Sequence, residues 1–564
     1  MIDLPKSKKH RMFSLFYQND GFNIKGDSIM GRQAAGWSFL KSLILSRNYN
    51  KLGIYLRYAA DKDILLKDIE PLLSEDFKEI EIETIGYRNP LPTEKYGGIQ
   101  LPGPNIIDFA NARSLFGHHK YSLCGITHTT ASHAIMDSFS ALVTEHVMPW
   151  DAIICTSESV FNTANRIIDA RNEFLKTRFE KKKTFIPKLP IIPLGINCDD
   201  FDFDDNFIKN SRDHFEIAED DIVISYVGRL SFHAKSHHIP MYLALENCAQ
   251  NMKKDVKIHL LQCGWFANDS IKKTFIEETQ ILCPSVNCVF VDGIDQFLKY
   301  KTLAASDIFM SLSDNIQETF GLTPLEAMAA GKPVIVSDWN GYRSTVRDNK
   351  DGYRVKSYSL GPGFGEDLAY QYMMNVIDYD MYVGQSVMNV AIDVEDCINK
   401  LKILIEDKEK RVEFGINGKK RANSSFSWNI ILSEYEELYN ELNDIRLSEY
   451  RNFEEFCEPK LPSNRLDPFY LFNDYPSEIL NDKMKIVKTK NINNLDIDKI
   501  IELGSIKYAI DLPTVDNMNK IINSLEDKTM YSLKSIITNV SMDKETAYKT
   551  IVFLLKMGLL SKEK

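Results

Sequence analysis

Residues 317–338 read Gln-Glu-Thr-Phe-Gly-Leu-Thr-Pro-Leu-Glu-Ala-Met-Ala-Ala-Gly-Lys-Pro-Val-Ile-Val-Ser-Asp, and few folds accommodate them. Thr323 fits a helix N-cap, and Pro324 fits the first helical position, where a missing N–H costs nothing. Glu326 stands three residues after that cap, so a Thr-x-x-Glu capping box is expected, with Glu326 in the first turn. Gly331 and Pro333 stop the helix early. Val334-Ile335-Val336 then reads as a buried strand.

This arrangement carries chemistry. The backbone N–H groups of Gly321, Leu322 and Thr323 lie at a helix N-terminus, where unpaired amides and the helix dipole favour an anion. Two acids flank that position, Glu318 in the preceding loop and Glu326 in the helix. An acid beside a phosphate site is unfavourable unless it holds hydroxyls, and a sugar nucleotide carries hydroxyls on both sides of its diphosphate. The competing reading is plain: Glu326 only caps its helix and Glu318 is a solvated loop acid.

With 564 residues the chain exceeds one domain, and its length suggests roughly three or four units. Hydrophobic content of 44% and charged content of 26% are those of a globular protein, so core size is not limiting. A formal net charge of −11 argues against general nucleic-acid binding, which relies on basic surface. The nine cysteines are scattered, none in Cys-x-x-Cys, and their odd number excludes a complete intramolecular disulfide framework. A reducing cytosol is the simplest setting. The N-terminal stretch lacks an apolar signal core and no apolar run approaches membrane-spanning length, so a cytoplasmic protein is expected, or one peripheral at the inner face of a membrane.

Along the chain, residues 12–17 form a first strand, glycines 21, 26, 31 and 36 punctuate a loop, and residues 37–46 read as a helix. A glycine-bearing loop after a strand lets backbone approach a ligand, which makes Gly31 a candidate, although the G-x-G-x-x-G spacing is absent. An apolar strand from residue 121 runs into Thr127-His128-Thr129-Thr130, placing His128 where open α/β sheets bind ligands. The Lys181-Lys182-Lys183 run reads as a solvated helix end rather than a membrane patch. A second half opens with Ile222-Val-Ile-Ser-Tyr-Val, then Gly228-Arg229-Leu230 and Lys235. Strands near 257–263, 289–292 and 304–312 alternate with helical segments, as βαβ crossovers require.

These motifs, in this order, resemble the retaining GT-B glycosyltransferases, family 4 in particular, over residues 10–445. Glu318 and Glu326 match the E-x7-E signature, Gly228-Arg229-Leu230 with Lys235 the Gly-Arg-Leu…Lys motif, and residues 190–201 the inter-domain linker. Lys235 stands one position further from Arg229 than in the commonest spacing. The resemblance implies α/β GT-B architecture, two Rossmann-like domains facing a cleft: an acceptor-side domain at 1–200 and a nucleotide-sugar domain at 201–425. A crossover helix at 426–445 would then return to the first domain. The implied reaction is transfer of a hexosyl group from a UDP- or GDP-sugar to an acceptor hydroxyl with retention. Arg229, Lys235 and the 321–323 amides would hold the diphosphate, Glu326 the ribose, and Glu318 and His128 the sugar. No cofactor and no metal are implied, so the overlapping Asp200-Phe201-Asp202 is read as an acidic linker rather than a metal motif.

Residues 357–389 depart from the pattern, rich in Tyr and Met, and are either an acceptor-facing insertion or a packing elaboration. Residues 446–564 lie outside the resemblance and read as a mainly helical accessory domain. Its last part is similar to a winged-helix module: a helix from Lys544, then Gly558 as its C-terminal stop and an apolar strand start. A protein or peptide partner suits this module better than nucleic acid. The expected substrates are a nucleotide-sugar donor and a glycan, lipid or protein acceptor. Two alternatives stay open, a phosphorylase-like GT-B enzyme and a sugar-nucleotide sensor working through the C-terminal module.

Overall fold

In the computed structural model the described residues are 12–24, 31–46, 49–72, 80–179, 185–252, 256–457, 459–463, 465–489, 497–507, 509 and 512–562. Gly26 and the Lys181-Lys182-Lys183 run fall outside them. The chain forms two compact units, Met1–Pro462 and Ser463–Lys564.

The first unit holds two six-stranded parallel sheets. One comprises β1 (Ser14–Tyr17), β2 (Lys51–Leu56), β3 (Glu81–Gly86), β4 (Gly98–Gln100), β5 (Ser122–Ile126) and β6 (Ala152–Ile154), in the order β3-β2-β1-β4-β5-β6. The other comprises β7 (Ile222–Val227), β8 (Ile258–Gly264), β9 (Asn287–Asp292), β10 (Ile308–Ser311), β11 (Val334–Ser337) and β12 (Gly352–Val355), in the order β12-β11-β10-β7-β8-β9. Helices cover the sheets, so inner strands such as β5 and β7 are buried at every position and mostly apolar. Each order reverses direction once, between β1 and β4 in the first sheet and between β7 and β10 in the second. Ligands of open α/β sheets settle outside the carboxyl ends of the strands at such a reversal. This is the GT-B arrangement of two Rossmann-like halves.

The halves share one apolar core, which runs from Phe13 and Leu40 through the linker residues Leu194 and Ile196 to Phe320 and Val334. The helix Trp428–Glu449 closes it. Ile196 bridges Ser427, Trp428 Nε1 donates to Ser38 Oγ at 2.7 Å, and Tyr439 stacks on Phe13 with centroids 4.0 Å apart. Gly195 is required here, since a Cβ would lie 2.4 Å from the Trp428 ring. The C-terminal half is thereby tied back to the first sheet.

Three details correct the sequence reading. The helix here spans Gly31–Leu45, so Gly31 lies in a helix rather than in a loop. The close backbone approach belongs to Gly36, where a Cβ would fall 2.2 Å from the Gly21 carbonyl oxygen. The central helix runs Leu322–Ala329 with Gly321 as N-cap and no side-chain cap, so Thr323 is not the cap and Glu326 lies beyond the first turn. Gly321 takes φ +98, and a Cβ there would lie 2.3 Å from the Tyr342 ring, so only glycine enters the helix from this direction.

Residues 357–389 form strand β13 (Ser357–Ser359) and helices Glu366–Met373 and Tyr379–Val387, and β13 pairs antiparallel with β14 (Val390–Ile392). Tyr372 stacks on His133 at 3.5 Å and accepts a hydrogen bond from its amide, while the Tyr379 hydroxyl lies 3.5 Å from Thr129 Oγ1. The insertion thus bridges from the second half to the first, next to His128.

The second unit has its own core around Ile486, Met518, Ile536 and Leu554. Besides its helices it contains a three-stranded antiparallel sheet, β15 (Lys485–Lys488), β16 (Tyr531–Ser532) and β17 (Leu560–Lys562), with β15 in the centre. The helix Lys544–Lys556 is capped by Asp543, which accepts from the Thr546 amide at 2.9 Å, and Gly558 follows at φ +70. Among the described residues no helix is long and apolar enough to cross a membrane.

Candidate active site

A cleft of about 520 Å³ opens between the two halves of the first unit. It is lined by all nine residues singled out from sequence: Gly31, His128, Arg229, Lys235, Glu318, Gly321, Leu322, Thr323 and Glu326. Their convergence follows from the topology. Arg229 follows β7 and Glu318 follows β10, the two strands that flank the reversal of the second sheet. His128 follows β5 in the first sheet.

The loops after β7 and β10 are cross-braced. Asn315 Nδ2 donates to the His233 carbonyl and Gln317 Nε2 to the Ala234 carbonyl, both at 2.9 Å. Ser236 Oγ donates to Leu312 O at 2.8 Å, and Asp314 Oδ1 accepts from the His237 amide at 3.1 Å. Burial pushes the Asp314 carboxyl up to about 7. The braces hold both loops in one geometry, a preorganisation that polar groups aimed at a ligand require. The sequence reading missed them, because they join residues 76 to 83 positions apart.

Among the described residues, charges in the cleft are arranged in pairs with one exception, Arg229. Lys235 Nζ bonds Glu318, whose Oε1 also accepts from the Phe320 amide at 3.3 Å. Lys299 Nζ lies 2.7 Å from Glu326 Oε1. Lys41 holds Asp200 at 2.8 Å, while Asp202 turns to Lys419 at 2.7 Å, so the two acids of the Asp-x-Asp stretch face different lysines. Arg229 instead donates through Nη2 to a neutral acceptor, the Ala234 carbonyl at 2.6 Å, and its guanidinium lies 5.9 Å from the Trp265 ring centre. Its charge is left for an anion.

Gly321, Leu322 and Thr323, at the start of the 322–329 helix, line the same cleft as Arg229, and a helix start carries amides without intrahelical partners. Glu326 offers the opposite character. Its Oε2 is buried and, among the described residues, takes no hydrogen bond, although buried carboxylate oxygens are normally satisfied. A hydroxyl-bearing ligand fits that vacancy in hydrogen bonding.

His128 donates from Nε2 to the Pro102 carbonyl at 2.9 Å, which fixes the neutral tautomer with Nδ1 as acceptor. Burial pushes its pKa down to about 4, so the ring is uncharged near neutral pH. Lys299, Trp37, Asn197 and Trp265 also line the cleft and escaped the sequence reading. Lys299 sits in a lysine-bearing helix, Gln296–Ala305, where one lysine looks like another until the fold is known.

Residues 207–360 match the family Glycosyl transferases group 1. That segment holds Arg229, Lys235 and 318–326, whereas Gly31 and His128 lie outside it. An uncharacterized glycosyltransferase of Methanocaldococcus jannaschii is 25% identical over 232 residues, 39% of this chain and 55% of that protein. The capsular polysaccharide biosynthesis glycosyltransferase CapM of Staphylococcus aureus is 23% identical over 248 residues, 44% of this chain and 52% of CapM. The chain thus spans about half the length of these curated relatives. Among solved structures, Anabaena HepE in complex with UDP and glucose superposes with a TM-score of 0.48 at 15% identity, covering 77% of this chain and 100% of HepE. The motif-bearing half of the cleft thus lies inside the segment similar to the glycosyl transferases group 1 family, residues 207–360.

Proposed function

We propose that the protein transfers a hexosyl group from a nucleotide-diphosphate sugar, a UDP- or GDP-sugar, to an acceptor hydroxyl with retention of configuration. One observation carries this reading: a single cleft is lined by Arg229, by a helix N-terminus and by Glu326, whose buried Oε2 takes no hydrogen bond among the described residues. The first two suit a diphosphate and the third suits a sugar hydroxyl. A sugar nucleotide combines both chemistries.

In this reading Arg229 and Lys235 neutralise charge that builds on the leaving diphosphate, the form of electrostatic stabilisation that acts most strongly in the transition state. The anomeric carbon–oxygen bond to phosphate breaks and a new bond to the acceptor oxygen forms on the same face. The acceptor proton passes to the departing diphosphate, so no protein base is needed and the reading assigns no metal to the step. Glu318 and the neutral His128 orient the sugar. Closure of the two halves excludes water from the donor.

The test is release of UDP or GDP from a matching donor sugar, measured with and without glycan, lipid or peptide acceptors, with the anomeric configuration of the product read by NMR. Acceptor-dependent nucleotide release with the donor's configuration kept supports the reading. Turnover that requires inorganic phosphate, or a product of inverted configuration, contradicts it.

A further inference from the structure

Lys299 stands at the side of the cleft on the helix Gln296–Ala305, whose N-cap Asp295 accepts from the Phe297 and Leu298 amides at 2.8 and 3.3 Å. Its ammonium is held in place on two sides, 2.7 Å from Glu326 Oε1 and 5.7 Å from the Phe201 ring centre. Both partners of the pair are largely withdrawn from water, with side-chain exposures of 14% and 13%. The pair therefore has a set geometry, unlike a surface lysine bridge.

Its consequence lies in the two oxygens of Glu326. Lys299 occupies Oε1 and leaves Oε2 buried without a hydrogen bond among the described residues. A carboxylate oxygen accepts two hydrogen bonds, so Oε2 can receive both hydroxyls of a vicinal diol. The ammonium also makes the pair neutral. A lone carboxylate would repel the diphosphate assigned to Arg229 and the 322–329 helix.

Resting on the donor reading above, we infer that Lys299 is the positioning residue that lets the cleft select a nucleotide with an intact ribose diol: it fixes Glu326 by one oxygen, aims the other at the sugar and cancels the charge. Lys299 itself touches no reacting atom. Its effect passes entirely through Glu326.

Calorimetric titration of the full chain with UDP, GDP and their 2′-deoxy counterparts tests this. The wild type should bind one ribonucleotide at least about tenfold more tightly than its 2′-deoxy form, the scale of one charge-assisted hydrogen bond. Lys299→Met should bring that ratio to within about twofold, the ribonucleotide losing clearly more than the share both forms lose to the uncovered Glu326 charge, and in that ratio it should not add to Glu326→Gln, as expected for two residues acting as one unit. Lys299→Arg, which keeps the charge, should retain the preference. Lys299→Gln gives a second neutral variant should Lys299→Met fail to fold, and the same collapse of the ratio is expected. Equal losses for ribo- and deoxynucleotides, or an unchanged preference in both neutral variants, overturn the inference. A wild type that binds none of the four contradicts the donor reading itself, and this inference with it.

Discussion

Thr319 Oγ1 donates a 2.9 Å hydrogen bond to the backbone carbonyl of His128. The residue after Glu318 is thereby joined to a residue of the opposite half, so the two groups assigned to the donor sugar share one link across the cleft. Gly341 packs against the backbone of this loop, since a Cβ there would fall 2.3 Å from the Phe320 Cα.

Thr319→Val keeps the side-chain shape and removes this link. A neutral hydrogen bond contributes about 1 kcal/mol net, so turnover is expected to fall about fivefold. Steady-state nucleotide release measures it. The donor KM should change less than kcat, because the link joins the halves rather than the donor to one of them.

Arg229→Met should weaken binding of a nucleoside diphosphate by about ten- to a hundredfold, the range for a lost charged hydrogen bond. Affinity for the bare nucleoside should stay the same. Calorimetry with UDP and uridine, or GDP and guanosine, reads both, and equal losses for the two would remove Arg229 from the phosphate site.

Glu318→Gln retains the shape of the side chain but ends its ion pair with Lys235. The expected result is a fall in kcat of at least about tenfold with little change in donor Kd, the signature of an interaction made mainly in the transition state. Single-turnover kinetics beside equilibrium binding separate the two quantities.

His128 supplies a pH prediction. Its pKa is about 4 in the folded protein and 6.5 when unperturbed, so between these values the unfolded chain binds a proton that the folded one does not. Stability from this residue is full above pH 6.5 and is lost as pH falls towards 4. His128→Gln should flatten that part of the stability profile, as followed by urea unfolding at pH 7, 5.5 and 4.5.

Much of the cleft was legible because its residues sit at strand ends. Arg229 follows the apolar run of β7 and Glu318 follows that of β10, and strand ends survive in sequence as abrupt changes from apolar to polar. The helix start was not legible. Thr323 has a good capping side chain, but the Tyr342 ring against Gly321 decides the entry, and that neighbour is distant in sequence. The loop around Gly31 was misread as such, since a run of glycines marks loops and tight helix packing alike, and Gly36 packs against Gly21. Strand β15 was hidden because Lys485-Ile-Val-Lys488 is too short to show a period; pairing on both sides makes it the centre of its sheet. Lys299 became visible only through its distance to Glu326.

The most direct measurement of the central claim is the melting temperature of the full chain with UDP-, GDP- and ADP-sugars, for the wild type and Glu326→Ala. A ligand that binds the folded state alone raises the apparent melting temperature. The account predicts a rise with UDP- or GDP-sugars, unchanged by EDTA and lost or strongly reduced in Glu326→Ala. No rise with any sugar nucleotide, or an equal rise in the variant, would contradict it.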